Sequence, residues 1–567
     1  MPTRKLFFLP YPLCFLFVLG FFRPITSAQV YAGKPKLIVI VVIDQFRGDY
    51  LNRFRNQFTG RGFRLFMDEG AWFTDCYYDY ANTKTAPGHA TIGTGTYSNG
   101  HGIETNEWWD TSRSETHKVS SVEDERYELV DIPASSIPAN QPNAKTDAPK
   151  YLVGSSPLNL RATTLGDELR LATQGNARVF GVSLKDRAAI LPPGQSANAA
   201  FWIDPVSGQF TTSTYYMQHL PQWAHAFNAS GRRDQAAREA NVPGTTEFFE
   251  QVGRTPAANS YELDFAKALI QGEKLGQNGV TDELTVSLSA NDIEGHRFGP
   301  DSDQEKQMVL SLDHDLNGFF AWLDQTVGLK NVWLALTADH GVAPVPAFAA
   351  QLGIAAAAVN MDAIDADVNT KLNARFSPGS NIQYLRPETD LPYVTLNNQA
   401  FEHAKVDEKT AEETVISLIR EAVAALPSSK ETLPAQHRLP PKPRVDAAYA
   451  RLQLAHSELP PSEWGRLLAH SYADHGNWFV MVILDAYQLQ GNSASGGTTH
   501  YSPWSYDRHV PLAFYGSPFL PGEYHKRVAP VDLAVTFASL AGVNQPSAAV
   551  GRVLVEALKS THAATTP

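Results

Sequence analysis

Short continuous apolar runs recur along the chain, and stretches with helical periodicity separate them. The first run, KLIVIVVID (36–44), is rich in β-branched residues and ends in an acid. Runs of this kind are typical of parallel strands that are buried on both faces. Similar runs follow at 177–184, 283–289, 331–339, 477–484 and 510–516.

The segments between these runs carry apolar residues at the spacing of amphipathic helices. Residues 305–327 and 408–426 show the pattern most clearly. Strands that alternate with helices predict an α/β fold with a doubly wound, mostly parallel central sheet and helices on both faces. We expect a single domain over residues 29–567, and its polar or Pro-rich stretches predict insertions near 107–160, 191–260 and 427–465.

Residues 1–28 have the organisation of a cleaved export signal. A basic start precedes an apolar segment with two prolines, and the small residues Thr26 and Ala28 stand at positions −3 and −1 of a cleavage site. A membrane anchor is the alternative, but prolines weaken a long spanning helix. We therefore expect a periplasmic or secreted bacterial protein. No later segment is apolar enough to span a bilayer, so we expect no stable membrane association after cleavage.

Charge and cysteine content narrow the function classes. The 567-residue chain has a formal net charge of −12, which disfavours nucleic acid as a partner because phosphate backbones attract basic surfaces. Of the two cysteines, Cys14 lies in the signal and Cys76 lies among aromatic residues. The sequence thus offers neither a disulfide framework nor a cysteine-rich zinc module, and we expect Cys76 to be a small buried apolar residue.

Acidic residues and histidines follow several of the predicted strands. Asp44 ends the first run, Asp292 and His296 follow the third, and Asp339 and His340 follow the strand of the fourth. In open α/β sheets the carboxyl ends of the strands form the ligand site. Several carboxylates and imidazoles that converge there need a compensating charge, which is usually a metal ion.

Three further histidines are less clearly placed. Asp474-His475 belongs to a second Asp-His-Gly motif, but it precedes the strand predicted at 477–484, so we interpret it as a turn at the opposite edge. His500 lies in a Gly/Thr/Ser loop. A loop histidine alone is typical of a solvated surface, and the other candidates favour a metal ligand instead. His509 is interpreted as a supporting or structural residue.

A candidate nucleophile lies in the segment NTKTAPGHATI (82–92). Pro87 indicates the start of a helix. A hydroxyl at a helix start faces free amide N–H groups and a dipole that favours an incoming anion. The alternative is that Thr83 or Thr85 merely caps the helix.

These motifs, taken in order, resemble those of the alkaline phosphatase superfamily. The similarity is greatest to its bacterial phosphate-irrepressible branch, which uses a threonine nucleophile, and it extends from about residue 36 to 552. The motifs that carry it are Asp44, T-x-T-A-P-G-H-A (83–90), D-x-x-x-H (292–296), A-D-H-G (338–341) and T-H-x-S-P (499–503).

The resemblance implies two zinc ions and a set of catalytic residues. One ion would be held by Asp292, His296 and His500, and the other by Asp44, Asp339, His340 and Thr85. Thr85 matches the nucleophile, and Asn106 matches a side chain that donates to a phosphoryl oxygen. Lys185 and Arg187 match a basic pair that grips the phosphate, although by themselves they are typical of a solvated turn. Tyr501 stands where the family commonly has glycine.

The resemblance implies an exported zinc phosphomonoesterase, an alkaline phosphatase, that releases inorganic phosphate from small phosphate esters through a phosphothreonine intermediate. Cations near three unsubstituted oxygens favour a monoester over a diester. A phosphodiesterase or nucleotide pyrophosphatase on the same scaffold is the first alternative. A non-catalytic exported metal-binding protein is the second. A sulfatase is disfavoured because Cys76 lacks the required context, and we expect a monomer.

Overall fold

The computed structural model describes residues 33–132, 153–427 and 442–559. The predicted signal therefore lies outside the described residues. Nine strands form the main sheet: β1 (Leu37–Ile43), β2 (Ala71–Phe73), β3 (Val179–Ser183), β4 (Ala199–Ile203), β5 (Phe210–Thr211), β6 (Asp282–Leu288), β7 (Val332–Thr337), β8 (Leu512–Tyr515) and β9 (Gly522–Tyr524).

The centre of this sheet is parallel. The strand order is β9-β2-β8-β7-β1-β6-β3-β4-β5, and the neighbours from β7 to β4 are all parallel. β8 pairs antiparallel with both β7 and β2, and β5 pairs antiparallel with β4. The predicted fold class, a mostly parallel α/β sheet, is confirmed.

The sequence of the central strands explains their position. Every residue of β1 is buried, as expected for a strand covered on both faces. Helices join the same apolar core through residues such as Leu263, Leu316 and Phe537. The main helices of this part are Thr85–Thr94, Leu165–Ala172, Pro256–Gly272, Ala290–Phe298, Asp303–Thr326 and Val531–Ala541.

The run predicted as a strand near 477–484 is a strand, Phe479–Leu484, but it is not part of the main sheet. It is the middle strand of a separate antiparallel sheet, between Tyr393–Thr395 and Val445–Ala450. An apolar run predicts burial, and burial is equally complete in the second core, so the run does not reveal which sheet it joins.

This second core defines the small module, residues 357–490, which is inserted in the chain between β7 and β8. Helices Met361–Phe376 and Glu408–Ala425 cover the three-stranded sheet, and their apolar residues form a cluster with Val480 and Val482. A parallel pair, Ala357–Val359 and Gln488–Gln490, lies where the module begins and ends.

Two of the stretches predicted as insertions contain strands of larger sheets. Residues 191–260 include β4 and β5 of the main sheet, and the described part of 427–465 includes the strand Val445–Ala450. The described part of 107–160 folds as two small two-stranded sheets, Glu107–Trp108 with Val119–Ser120 and Glu123–Glu128 with Val153–Ser155. None of the helices in the described part of the chain combines the length and apolarity that a bilayer crossing requires.

Candidate active site

The carboxyl ends of three adjacent strands bring the predicted site residues together. β1 is paired in register with both β6 and β7, so that Ile43 lies beside Leu288, and Val42 lies beside Thr337. Asp44 and Asp339 lie just after β1 and β7, and Asp292 lies in the helix Ala290–Phe298 that follows β6. The prediction that these strand ends converge on one edge is confirmed.

The first group of candidate ligands, Asp44, Asp339 and His340, is fully buried. His340 Nε2 lies 3.4 Å from Asp44 Oδ1 and 3.5 Å from Asp339 Oδ2. These three atoms form no hydrogen bond with any described residue. Burial, and then the nearby carboxylate of Asp44, raise the pKa of Asp339 well above its usual range. Ligand atoms of Asp44, Asp292 and His340 also lie within 4.8 Å of one another.

The second group consists of Asp292, His296 and His500, whose ligand atoms likewise lie within 4.8 Å of one another. Asp292 and His296 are one turn apart on the helix Ala290–Phe298, and Asp292 Oδ1 lies 3.2 Å from His296 Nε2 and 3.8 Å from His500 Nε2. The His500 ring stacks on that of His340, with 3.6 Å between centroids. Burial, followed by the two neighbouring histidines, lowers the pKa of His500.

The three histidines each use the other ring nitrogen to bind a backbone carbonyl. Nδ1 of His296 donates to Thr498 O at 2.9 Å, that of His500 to Thr83 O at 2.6 Å, and that of His340 to Gly341 O at 3.0 Å. This assignment leaves each Nε2 as a lone-pair donor that faces the carboxylates. Such outer contacts orient metal-ligating histidines in proteins.

The donor set fits divalent metal ions. Three buried carboxylates and three imidazoles lie close together, and the buried atoms Asp44 Oδ1, Asp339 Oδ2 and His340 Nε2 have no hydrogen-bond partner among the described residues. Isolated buried charge of this kind is expensive unless a cation compensates it. Aspartate oxygen and histidine nitrogen are ligands that zinc accepts.

Lys185 supplies part of that compensation from the protein itself. Its Nζ lies 2.6 Å from Asp44 Oδ2 and 2.6 Å from Asp292 Oδ2, and it thus joins the two groups. Burial lowers the pKa of Lys185, but the carboxylates of Asp292 and Asp44 outweigh this effect and the net pKa is raised. Arg187 follows on the next helix, where its Nε is buried without a hydrogen-bond partner in the described residues.

Thr85 is the first residue of the helix Thr85–Thr94, and Lys84 occupies the N-cap position without a side-chain cap bond. The capping alternative for Thr83 and Thr85 is therefore wrong. Asn106 lies next to this helix start, because its Oδ1 accepts a hydrogen bond of 2.8 Å from the N–H of Ala86. The contact leaves the amide Nδ2 of Asn106 available as a donor.

His475 and His509, the other histidines considered from the sequence, pack against aromatic rings and contact backbone carbonyls. His475 stacks on Trp108 and its Nε2 lies 2.9 Å from Gly102 O. The ring of His509 stacks on Tyr77, and its Nε2 lies 3.0 Å from Thr74 O. The second Asp-His-Gly motif precedes a strand of the small module, so the reasoning from opposite edges of one sheet does not apply to it.

Sequence reasoning missed two residues that contact the candidate ligands. Gln45 donates from its side chain to Asp292 Oδ1 at 2.6 Å and from its backbone to Asp339 Oδ1 at 3.0 Å. His89 Nδ1 lies 2.8 Å from Thr85 O and 3.3 Å from Asp339 Oδ2. Gln45 directly follows Asp44 at the end of a strand, and His89 is one turn from Thr85 on the helix. Both positions could therefore have been predicted from the sequence to lie near the site.

Comparison with known proteins identifies the family to which the chain belongs. The type I phosphodiesterase/nucleotide pyrophosphatase family matches residues 38–478. The fold is that of the alkaline phosphatase superfamily. The chain belongs to the type I phosphodiesterase/nucleotide pyrophosphatase family within that superfamily.

Individual relatives share most of their length with this chain. Alkaline phosphatase PhoV of Synechococcus elongatus is 31% identical, with 95% of each chain covered. A protein named calcium-transporting ATPase of Myroides odoratus is 31% identical, covering 95% of this chain and 97% of that protein. The crystal structure of wild-type alkaline phosphatase PafA superposes with a TM-score of 0.79 at 29% identity, over 93% of this chain and 99% of that one.

Proposed function

We propose that this protein is a zinc-dependent alkaline phosphatase that hydrolyses phosphate monoesters through a phosphothreonine intermediate. The observation that carries the proposal is the position of Lys185, which lies 2.6 Å from a carboxylate of each ligand group. A cation held there neutralises a phosphoryl dianion. The names of relatives such as PhoV support the same activity.

Thr85 attacks phosphorus, so that a bond from Oγ to phosphorus forms as the bond to the leaving oxygen breaks. Water then cleaves the phosphothreonine and releases inorganic phosphate. Asn106 donates from Nδ2 to an equatorial oxygen, while Lys185 and Arg187 offset the charge on the others. Zinc held by Asp44, Asp339 and His340, with Thr85, and by Asp292, His296 and His500 would supply Lewis-acid activation of the oxygen nucleophiles and stabilise the leaving oxygen.

A phosphodiesterase is the second candidate function, because the matching family is described as phosphodiesterases and nucleotide pyrophosphatases. The basic residues favour the monoester. A monoester dianion has three unsubstituted oxygens that cations can bind. A diester carries a second organic group on one of these oxygens, and that group requires a binding pocket rather than a cation. Lys185 occupies the N-cap position of the short helix Asp186–Ile190 that follows β3, and Arg187 lies within that helix.

Hydrolysis of a nitrophenyl phosphate monoester and of its bis-ester tests the substrate class. We expect fast monoester turnover that a chelator abolishes and slow diester turnover. Lys185→Ala should reduce kcat/KM for the monoester by about 100-fold or more and for the diester by less. A diester preference of the wild type, or equal losses for both substrates, would contradict the monoesterase proposal.

The metal assignment is tested by metal content. Asp339→Ala and His340→Ala should lower the zinc bound per chain, because each removes a fully buried candidate ligand. Asp474→Ala and His475→Ala are matched controls from the second Asp-His-Gly motif and should retain zinc. Unchanged zinc in the first pair, or loss in the control pair, measured by mass spectrometry, would refute the assignment.

We also propose that the protein is exported after cleavage following Ala28 and acts as a monomer on small phosphate esters. The support is the organisation of residues 1–28 and the acidic charge. N-terminal sequencing of the protein recovered from outside the cytoplasm should begin at Gln29. Retention of residues 1–28 in the membrane fraction would favour the anchor instead.

A further inference from the structure

A fully buried lysine directly precedes the proposed nucleophile. The side chain of Lys84 is 0% exposed, and its Nζ lies 2.5 Å from Asp390 Oδ2 and 3.3 Å from Thr105 Oγ1. The same ammonium lies 4.5 Å from the ring centroid of Tyr501. We call Lys84, Thr105, Asp390 and Tyr501 the Lys84 cluster.

The Lys84 cluster is linked by single peptide units to two proposed catalytic groups. Lys84 precedes Thr85, and Thr105 precedes Asn106. Thr105 Oγ1 also lies 3.2 Å from Asp390 Oδ2, so this carboxylate contacts both preceding residues. A shift of Asp390 would therefore move the nucleophile and the phosphoryl-oxygen donor together.

Asp390 is the member of the cluster that belongs to the small module. It is 27% exposed and stands just before Leu391, at the approach to the strand Tyr393–Thr395. Burial lowers the pKa of Lys84, and the carboxylate of Asp390 opposes that effect. A buried ammonium is stable only when it is paired, so Asp390 fixes where the Lys84 side chain lies.

Tyr501 covers the same ammonium from the loop that carries His500. Its backbone has φ of 119°, a conformation that is strained for a residue with a side chain. Its N–H donates to Thr83 Oγ1 at 3.2 Å, and its ring packs edge-on against His500. Strained backbone of this kind persists where the surroundings hold it in place, commonly at functional sites.

We propose that Asp390 is a positioning residue, through which the small module fixes the Thr85 hydroxyl and the Asn106 amide relative to one another. The inference rests on the proposed roles of Thr85 and Asn106. Asp390 acts through Lys84 and Thr105 and does not contact the phosphoryl group. Displacing reacting groups by about 1 Å is enough to lower a rate by about 100-fold.

Asp390→Ala tests the proposal, with Glu408→Ala as its matched control. Glu408 also pairs with a largely buried cation in the small module, because Arg451 Nη2 lies 2.6 Å from its Oε1 and the two side chains are 15% and 17% exposed. We expect Asp390→Ala to lower kcat/KM for a nitrophenyl phosphate by about 10- to 100-fold, mainly in kcat, with bound zinc unchanged. Glu408→Ala should retain wild-type kcat/KM.

Hydrogen–deuterium exchange supplies a readout that does not depend on turnover. Asp390→Ala should increase deuterium uptake in the peptides that cover residues 82–92 and 103–108, and Glu408→Ala should not. Asp390→Asn retains an acceptor oxygen and should recover part of both kcat and protection. Wild-type kcat/KM and exchange in Asp390→Ala, or equal losses in the control, would overturn the proposal.

The double variant Lys84→Met/Asp390→Ala keeps the test valid if the single variant fails to fold, because it leaves no unpaired buried charge. It should fold and still show the reduced kcat and the raised exchange, and full activity would overturn the proposal. An inactive wild type with raised exchange in Asp390→Ala would refute the proposed phosphatase function while supporting the positioning role.

Discussion

Thr83 and Thr85 stand two residues apart and have different surroundings. The hydroxyl of Thr83 donates to Ser502 O at 3.1 Å and accepts the N–H of Tyr501 at 3.2 Å, so it ties the His500 loop to the start of the helix. Thr85 begins the helix itself and its side chain has no capping role. The hydroxyl of Thr83 therefore has a structural role, and Thr85 remains the candidate nucleophile of the two.

Thr85→Ala should lower phosphatase turnover by at least about 10³-fold, because the neighbouring hydroxyl of Thr83 is held in two hydrogen bonds and cannot replace the nucleophile. Thr83→Ala is the matched control. It loses two hydrogen bonds, worth about 1 kcal/mol each, and should keep activity within about tenfold of the wild type. Steady-state kinetics with a nitrophenyl phosphate measure both. Near-normal turnover in Thr85→Ala, or a greater loss in Thr83→Ala, would remove Thr85 from its proposed role.

Most candidate ligands could be predicted from the sequence because they follow strands. Asp44, Asp292 and Asp339 stand just after apolar runs, and the parallel sheet brings such positions to one edge. His500 follows the small module rather than a parallel strand, and its interpretation as a ligand depended on the other candidates and on the family resemblance. Asp390 could not be predicted, because its partner Lys84 is contributed by a distant part of the chain and no local pattern records the pairing.

At the scale of elements, the position of the helix Thr85–Thr94 depends on the close contact between Gly88 and the backbone of Asp339. A Cβ added at Gly88 would overlap the backbone carbonyl of Asp339. The glycine lets the helix Thr85–Thr94 lie directly against the turn that carries Asp339 and His340. Tyr78 strengthens the contact, because its hydroxyl donates to Ala338 O at 2.9 Å.

Gly88→Ala should displace this helix and lower both stability and kcat. We expect a cost of about 1–3 kcal/mol in the free energy of unfolding, as for other overpacked cores. The matched control is Gly318→Ala in the helix Asp303–Thr326, where a Cβ meets no other group within 4 Å. That change should stabilise the protein by about 0.5–1 kcal/mol, because alanine is the better helix former. Chemical denaturation and kinetics of both variants measure the difference, and equal behaviour would contradict the role of Gly88.

The sequence predicted the positions of helices and strands better than it predicted which strands pair with one another. The helices expected at 305–327 and 408–426 are confirmed as Asp303–Thr326 and Glu408–Ala425. The strand expected near 477–484 exists, but it pairs within the small module. Local periodicity reflects burial of a face, whereas strand pairing depends on contacts between distant parts of the chain.

At the scale of the whole molecule, the protein carries buried acids in addition to its candidate ligands. The full chain has a net charge of −12. Burial, as the largest cause, raises the pKa of Glu104, Glu283 and Glu305 to about 8 in each case. Both carboxyl oxygens of Glu283 are buried without a hydrogen-bond partner in the described residues. These groups make the free energy of unfolding depend on pH.

Glu283 shows in which direction pH changes the free energy of unfolding. Its pKa is about 8 in the folded protein and about 4.3 in the unfolded chain. Below the lower value both states are protonated, and the contribution of Glu283 to stability is fully present. Between the two values the unfolded chain releases the proton while the folded protein retains it, so this contribution is lost as pH rises toward 8. The loss is on the order of a few kcal/mol.

Glu283→Gln removes this titration and should therefore stabilise the protein at pH 9 relative to the wild type by more than it does at pH 5. Thermal midpoints of the two proteins, compared at both pH values with equal zinc, measure the difference. Taking the difference between variants cancels the pH dependence of metal binding, which both proteins share. Glu413→Gln, at an exposed position of the helix Glu408–Ala425, controls for the loss of one negative charge. A shift in midpoint that is the same at pH 5 and pH 9 would show that Glu283 does not retain its proton in the folded protein.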